Sequence, residues 1–191
     1  MTMDAGFGPS ALATPANGIT ITRLAATPFL LYVVLRSSPS YGALAFWFIL
    51  SCTDGVDGWL ARRQGTTRSG AFLDPLADKF VAIGAMAALV ATGQFWWLPV
   101  SIIAAREVGI SAYRASVGRH GVSVPARPLA KAKTVVQDLA VGFAVMPAVG
   151  TRHPGFATGW LWAAVVLTVW SGALYLIDGA KTATAGTVDA M

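Results

Sequence analysis

Apolar residues run through this chain in long unbroken blocks, not in strict alternation. Six blocks stand out, at about 19–36, 40–58, 71–92, 95–117, 132–150 and 157–177. Continuous runs of this length predict helices and not half-buried strands. Each is close to the ~20 mostly apolar residues that cross the hydrocarbon of a bilayer. Lipid accepts only helices or closed barrels as spanning structures, because every backbone polar group must be satisfied internally. The expected fold is an all-α integral membrane protein, a bundle of six transmembrane helices. The expected organisation is an interfacial lead-in over 1–18, the bundle over 19–178 and a C-terminal tail over 179–191.

Composition supports the same class. Of 191 residues, 55% are apolar and only 12% charged, about half the charged share of a soluble domain. Mean hydropathy is +0.60. The lead-in has no basic stretch before its first apolar residues, so a cleaved signal peptide is not expected. The single cysteine, Cys52, excludes a disulfide within the chain and a cysteine-rich metal site.

The formal charge of +5 matters less than where it falls. With six spans, Arg62, Arg63, Arg68, Arg119, Arg127, Lys131, Lys133 and Lys181 collect on one side. Arg36 and Arg152 fall on the other. The positive-inside rule places the first side, with both termini, in the cytoplasm, and so predicts a multi-pass protein of the inner membrane. Trp96, Trp97, Trp160 and Trp162 should share the far interface as an aromatic belt. Basic residues split between membrane-flanking loops make no nucleic-acid surface.

One segment breaks the apolar pattern with dense charge: "DGVDGWLARRQGTTRSGAFLDPLADK", Asp54 to Lys79. Asp54 and Asp57 are three apart, and Asp74 and Asp78 four apart. On helices each pair shares a face. Between them the glycines Gly58, Gly65 and Gly70 suggest a helix end, a loop and a restart. Four ionised carboxylates near a bundle repel one another unless cations pair with them. Arginines of the loop are one answer, giving a salt-bridged turn. Divalent cations are the other, since hard oxygen ligands suit Mg²⁺, Mn²⁺ or Ca²⁺. Two spaced pairs of acids favour a two-metal site of the kind that clamps attacking and leaving oxygens in phosphoryl chemistry. Ionisable residues at membrane depth are functional candidates by default.

These residues resemble the signature of the CDP-alcohol phosphotransferase family, D-x2-D-G-x2-A-R followed by G-x3-D-x3-D. Here it reads Asp54, Asp57, Gly58, Ala61, Arg62, then Gly70, Asp74, Asp78. Seven residues separate Arg62 from Gly70, one fewer than the family commonly has, so the 63–69 loop matches least well. The resemblance implies transfer of a phosphatidyl group from a CDP-linked lipid to an alcohol, with release of CMP. It implies two divalent cations, Mg²⁺ or Mn²⁺, held by Asp54, Asp57, Asp74 and Asp78, with Asp78 also the catalytic base. It implies a nucleotide site at Asp54, Gly58, Ala61, Arg62, Thr67 and Gly70. Asn17, Thr20 and Arg23, at three-residue steps, resemble the family's N-x2-T-x2-R. Asn17 and Thr20 join the nucleotide site on that ground. A homodimer is a further implication, and the small residues of "AIGAMAALVATG" are compatible with close helix contact.

The acceptor is argued from a second region. Arg106 and Glu107 sit deep enough to be costly, and Arg114, Arg119, Arg127, Lys131 and Lys133 surround the same mouth. An internal ion pair and positive-inside anchoring account for some of them. A basic pocket for an anionic acceptor is the other reading, since arginine grips phosphate through two parallel hydrogen bonds. "ARE…R" followed by Lys131, Lys133, Thr134 and Gln137 looks like the phosphatidylglycerophosphate synthases of that family, although Ala130 stands where many of them have glycine. That resemblance implies sn-glycerol 3-phosphate as acceptor and CDP-diacylglycerol as donor, with Arg106, Arg114, Lys131 and Lys133 on the acceptor phosphate. Phosphatidylglycerol or an inositol phosphate is the alternative acceptor. A divalent-cation transporter is the alternative class, but it calls for acids near the midplane. His120 and His153 receive no role, and Asp138 either pairs with a base of the fourth span or shapes the acceptor pocket.

Overall fold

Four of the helices begin at a proline, where the missing N–H costs nothing because the first turn has no acceptor for it. They are α1 (Pro15–Ser37), α5 (Pro128–Val145), the single-turn α6 (Pro147–Gly150) and α7 (Pro154–Val188). The other three are α2 (Tyr41–Gln64), α3 (Gly70–Ala91) and α4 (Trp97–Arg119). The computed structural model describes residues 15–64, 70–119 and 128–188, with side chains over 18–53, 76–114 and 131–177. Among the described residues all regular structure is helical.

The six long helices lie where the apolar runs predict them, but their ends differ. Helix α2 does not stop near residue 58. It runs on to Gln64, because Leu60, Ala61, Arg62, Arg63 and Gln64 are all good helix formers. The fifth run does not continue to 150. It breaks at Met146, where Pro147 has no N–H to continue the ladder, and restarts as α6. Helix α7 continues past 178 to Val188, through much of the expected tail.

Three turns meet at one end of the bundle. Ser40 N–H donates to the Val145 carbonyl at 3.0 Å, and Gln94 Nε2 donates to Ser38 Oγ at 3.1 Å. Helix α3 closes there with the Gly93 N–H on the Val90 carbonyl and the Gln94 N–H on the Leu89 carbonyl, at 3.0 and 2.9 Å. This cap needs a left-handed residue, and glycine supplies it at φ 75°. Trp96 reaches both Trp97 and Trp162 here, with ring centroids 6.4 and 6.3 Å apart. Trp160 packs on Phe143 close by. The start of α3 and the last turns of α2, which carry the aspartates, therefore belong to the opposite end.

The core lies along the helix axes. Leu30 and Val34 of α1, Met86 and Leu89 of α3, Ile103 of α4, Val141 and Val145 of α5 and Leu161 of α7 are fully buried. Helix α1 packs against both α2 and α3, and α7 against both α4 and α5. Buried Ala43, Ala85, Ala140, Ala144, Ala157 and Ala164 let the backbones approach closely. The outside is apolar as well: Phe29, Phe48, Phe80, Val108, Val166 and Trp170 are exposed. An apolar sheath of this extent marks a surface that meets lipid or protein. Two stretches, Gly18–Ser37 and Pro154–Ile177, are long and apolar enough to cross a membrane. Because Ile103 is 0% exposed, Ile103→Ala should cost about 2–5 kcal/mol. A lower thermal midpoint of the solubilised protein reads that loss; an unchanged midpoint places Ile103 outside the stabilising core.

Candidate active site

Helix α1 turns a polar strip inwards. Thr20, Arg23 and Thr27 are buried at three- and four-residue spacing, which is one helix face. Thr27 Oγ1 donates to the Arg23 carbonyl at 2.8 Å. Arg23 then reaches across to α3, where Nη2 donates to Asp78 Oδ1 at 2.8 Å. The Arg23 side chain is 5% exposed and that of Asp78 38%. A buried arginine thus fixes a carboxylate that still faces solvent.

Next to Asp78, Lys79 Nζ donates to Ser111 Oγ on α4. Ser111 Oγ in turn donates to the Glu107 carbonyl, one helical turn back, at 2.6 Å. Glu107 is the centre of the arrangement. Its Oε1 accepts from Arg106 Nη1 at 3.1 Å and from Lys133 Nζ on α5. Arg106 Nη2 donates to Ser171 Oγ on α7 at 2.9 Å. Gln137 Nε2 of α5 donates to Thr168 Oγ1 of α7 at 3.0 Å, and Ser171 Oγ donates to the Thr168 carbonyl at 3.1 Å. The Arg114 guanidinium lies over the Tyr175 ring, 5.4 Å from its centroid.

Four cations, Lys79, Arg106, Arg114 and Lys133, act electrostatically on one another here. Among the described side chains, Glu107 and Asp78 are the carboxylates that face these cations; a buried cation is costly without such a partner. Arginine with lysine is the donor set that phosphate recognition uses.

The structure brings Arg106 and Lys133 together on the Glu107 carboxylate, so the internal ion pair of α4 is present and Lys133 of α5 joins it. It seats Arg114 against an aromatic ring, and it leaves Lys131 exposed. Asp138 contributes its backbone carbonyl, which accepts from Trp47 Nε1 at 3.2 Å. Thr20 is buried on α1, and Asn17 lies in the first turn of the same helix. Asp54, Asp57, Gly58, Ala61 and Arg62 lie in α2, and Gly70 and Asp74 open α3; the side chains of these residues and of Asn17 fall outside those described. Thr67, Arg127 and His120 lie outside the described residues altogether. Among the described residues no three metal-ligating side chains gather, and Asp78 is the one described side chain of the aspartate set. The donor chemistry of that set, four carboxylates with a half-exposed one anchored by Arg23, fits a hard divalent cation. Lys79, Ser111, Thr168 and Ser171 were not expected. Lys79 had a signal in its place beside Asp78, whereas the two α7 residues had none.

Asp78 of α3, beside a buried cluster of lysine and arginine, suits a protein that handles anionic phosphate esters. The sequence profile of the CDP-alcohol phosphatidyltransferase family matches residues 13–170, and the chain belongs to that family. Its relatives narrow the class. A probable phosphatidylglycerophosphate synthase of Mycobacterium tuberculosis is 38% identical over 176 residues, covering 88% of this chain and 83% of that one. A CDP-diacylglycerol–glycerol-3-phosphate 3-phosphatidyltransferase of Salmonella choleraesuis is 38% identical over 168 residues, covering 83% of this chain and 90% of its own. Its counterpart in Escherichia coli K12 is 37% identical with the same coverage. The chain is a membrane protein, helical throughout its described elements, and a transferase of phospholipid synthesis.

Proposed function

We propose that this chain transfers the phosphatidyl group of CDP-diacylglycerol to sn-glycerol 3-phosphate, giving phosphatidylglycerophosphate and CMP. The observation that carries the choice of acceptor is the convergence of Arg106 and Lys133, from two helices, on Glu107. An acceptor bearing its own phosphate needs such a pocket; a neutral alcohol does not. The names of the relatives point to the same acceptor.

In this reading the acceptor phosphate sits among Arg106, Arg114 and Lys133, with Lys131 at the rim. Its hydroxyl is aimed at the phosphatidyl phosphorus. A new P–O bond forms to the acceptor oxygen, and the bond from that phosphorus to the bridging pyrophosphate oxygen breaks, so that CMP leaves with the electron pair. Asp78 takes the hydroxyl proton, since an alcohol is a poor nucleophile until a base within hydrogen-bond reach assists it. Arg23 holds the Asp78 carboxylate in place for this. Asn17, Thr20, Asp54, Gly58, Ala61, Arg62, Thr67 and Gly70 form the cytidine nucleotide site. Two divalent cations held by Asp54, Asp57, Asp74 and Asp78 would neutralise the donor pyrophosphate and stabilise the leaving CMP.

The setting belongs to the same proposal: six spans, a homodimer, both termini in the cytoplasm, and the site at the cytoplasmic face of the inner membrane. The exposed apolar sheath and the tryptophans at the end opposite the acids support it.

The test is to give purified protein labelled glycerol 3-phosphate, phosphatidylglycerol or inositol phosphate, each with CDP-diacylglycerol. Turnover is expected with the first alone. It should vanish in EDTA and return with Mg²⁺ or Mn²⁺. Turnover with another acceptor and none with glycerol 3-phosphate overturns the choice. Full activity in EDTA overturns the metal assignment.

A further inference from the structure

We infer that Ser171 and Gly172 of α7 are positioning residues for the acceptor, acting through the Arg106 side chain. The inference rests on the acceptor reading above, in which Arg106 holds the acceptor phosphate.

Arg106 and Glu107 are adjacent in α4, and adjacent helix residues do not face each other. The Arg106 side chain must therefore bend round its own helix to meet the Glu107 carboxylate. The conformation that does this is held from α7. Ser171 Oγ accepts from Nη2 at 2.9 Å, and is itself tied to the Thr168 carbonyl. Gly172 then leaves room for the stem. A Cβ at this position would lie 3.0 Å from Arg106 Nε, 3.4 Å from Cγ and 3.8 Å from Cδ. The first of these is closer than a methyl carbon comes to a nitrogen without displacement. The Nε itself is buried and has no hydrogen-bond partner among the described residues, so the guanidinium is located by its two outer nitrogens and by the contact with Gly172.

Glycine in a helix interior is less stable than alanine, which makes Gly172 costly to its own helix. The close approach of Arg106 is what it makes possible. Arginine recognises phosphate through a planar fork whose direction matters. A Cβ here makes the Arg106 stem give by a few tenths of an ångström, which re-aims the fork while leaving the charge present.

Steady-state KM values for glycerol 3-phosphate and for CDP-diacylglycerol, measured on the purified full-length enzyme, test this. Gly172→Ala and Ser171→Ala are each expected to raise the acceptor KM about 10-fold and to leave the donor KM unchanged. Ser171→Thr, which keeps the hydroxyl, should restore the acceptor KM. In an Arg106→Ala background, Gly172→Ala should add nothing. A merely structural role would move both KM values together and would persist without Arg106. The inference is overturned if both single variants keep the wild-type acceptor KM, or if their effects persist in the Arg106→Ala background. If Arg106→Ala alone leaves the acceptor KM unchanged, the acceptor reading itself fails and this inference falls with it. If Arg106→Ala raises the KM and the α7 variants do not, only the role of α7 is lost.

Discussion

Asp78→Asn should lower turnover by about 10²–10⁴-fold, the range that a positioned general base supplies. The substitution keeps the shape of the side chain and removes its ability to take a proton. It also removes the ion pair with Arg23. The Arg23 side chain is 5% exposed and that of Asp78 38%, and the asparagine carbonyl can still accept from Arg23, so the loss to the fold should stay below the ~3–5 kcal/mol of breaking a fully buried pair. Turnover should therefore be nearly gone while the thermal midpoint falls less than it does for Glu107→Ala. Single-turnover release of CMP, followed beside a melting curve of the same preparation, measures both. Near-wild-type turnover would remove Asp78 from the role of base.

Glu107→Ala should act in the opposite way, through the fold first. The Glu107 side chain is 9% exposed and carries both Arg106 and Lys133. Removing it leaves two buried cations side by side with no carboxylate between them. Breaking a buried pair from one side costs about 3–5 kcal/mol, enough to lower the thermal midpoint by many degrees. Removing a cation as well should recover part of the loss, since an apolar replacement of both partners is often neutral. Glu107→Leu with Lys133→Met is therefore expected to melt above Glu107→Ala while remaining unable to use glycerol 3-phosphate. A wild-type midpoint for Glu107→Ala would mean that the two cations do not depend on it.

Much of this arrangement was legible in the sequence, for physical reasons. Long helices that are apolar inside and out need unbroken apolar runs, so the six long helices could be counted directly. Their ends were harder. Leu60 to Gln64 prolong α2 as ordinary helix formers, and Pro147 ends α5 inside a run that hydropathy alone treats as continuous. The aspartates stood out because their spacing along α2 and α3 follows the family signature, and spacing is what a sequence records. Glu107 was visible beside Arg106, but its hold on Lys133 depends on how α4 crosses α5. Ser171 and Gly172 were invisible for the same reason. A serine and a glycine in an apolar helix carry no sign of what another helix brings to them. Lys79 lay between these cases, adjacent in sequence to Asp78 and bound in space to Ser111.

The length of α3 has one more consequence. Asp74 precedes the end of that helix at Ala91 by seventeen residues, about 26 Å at 1.5 Å per residue. The hydrocarbon of a bilayer is about 30 Å thick. If the tryptophans beyond Ala91 mark one interface, Asp74 comes close to the edge of the hydrocarbon in the opposite leaflet, just beneath its headgroups. In the proposed reaction the donor lipid can then be attacked at its phosphorus while its acyl chains stay in the leaflet. Its supply is lateral diffusion in two dimensions. The acceptor alone must be captured from bulk water, and the cations buried between α4, α5 and α7 are placed on that side of the exchange.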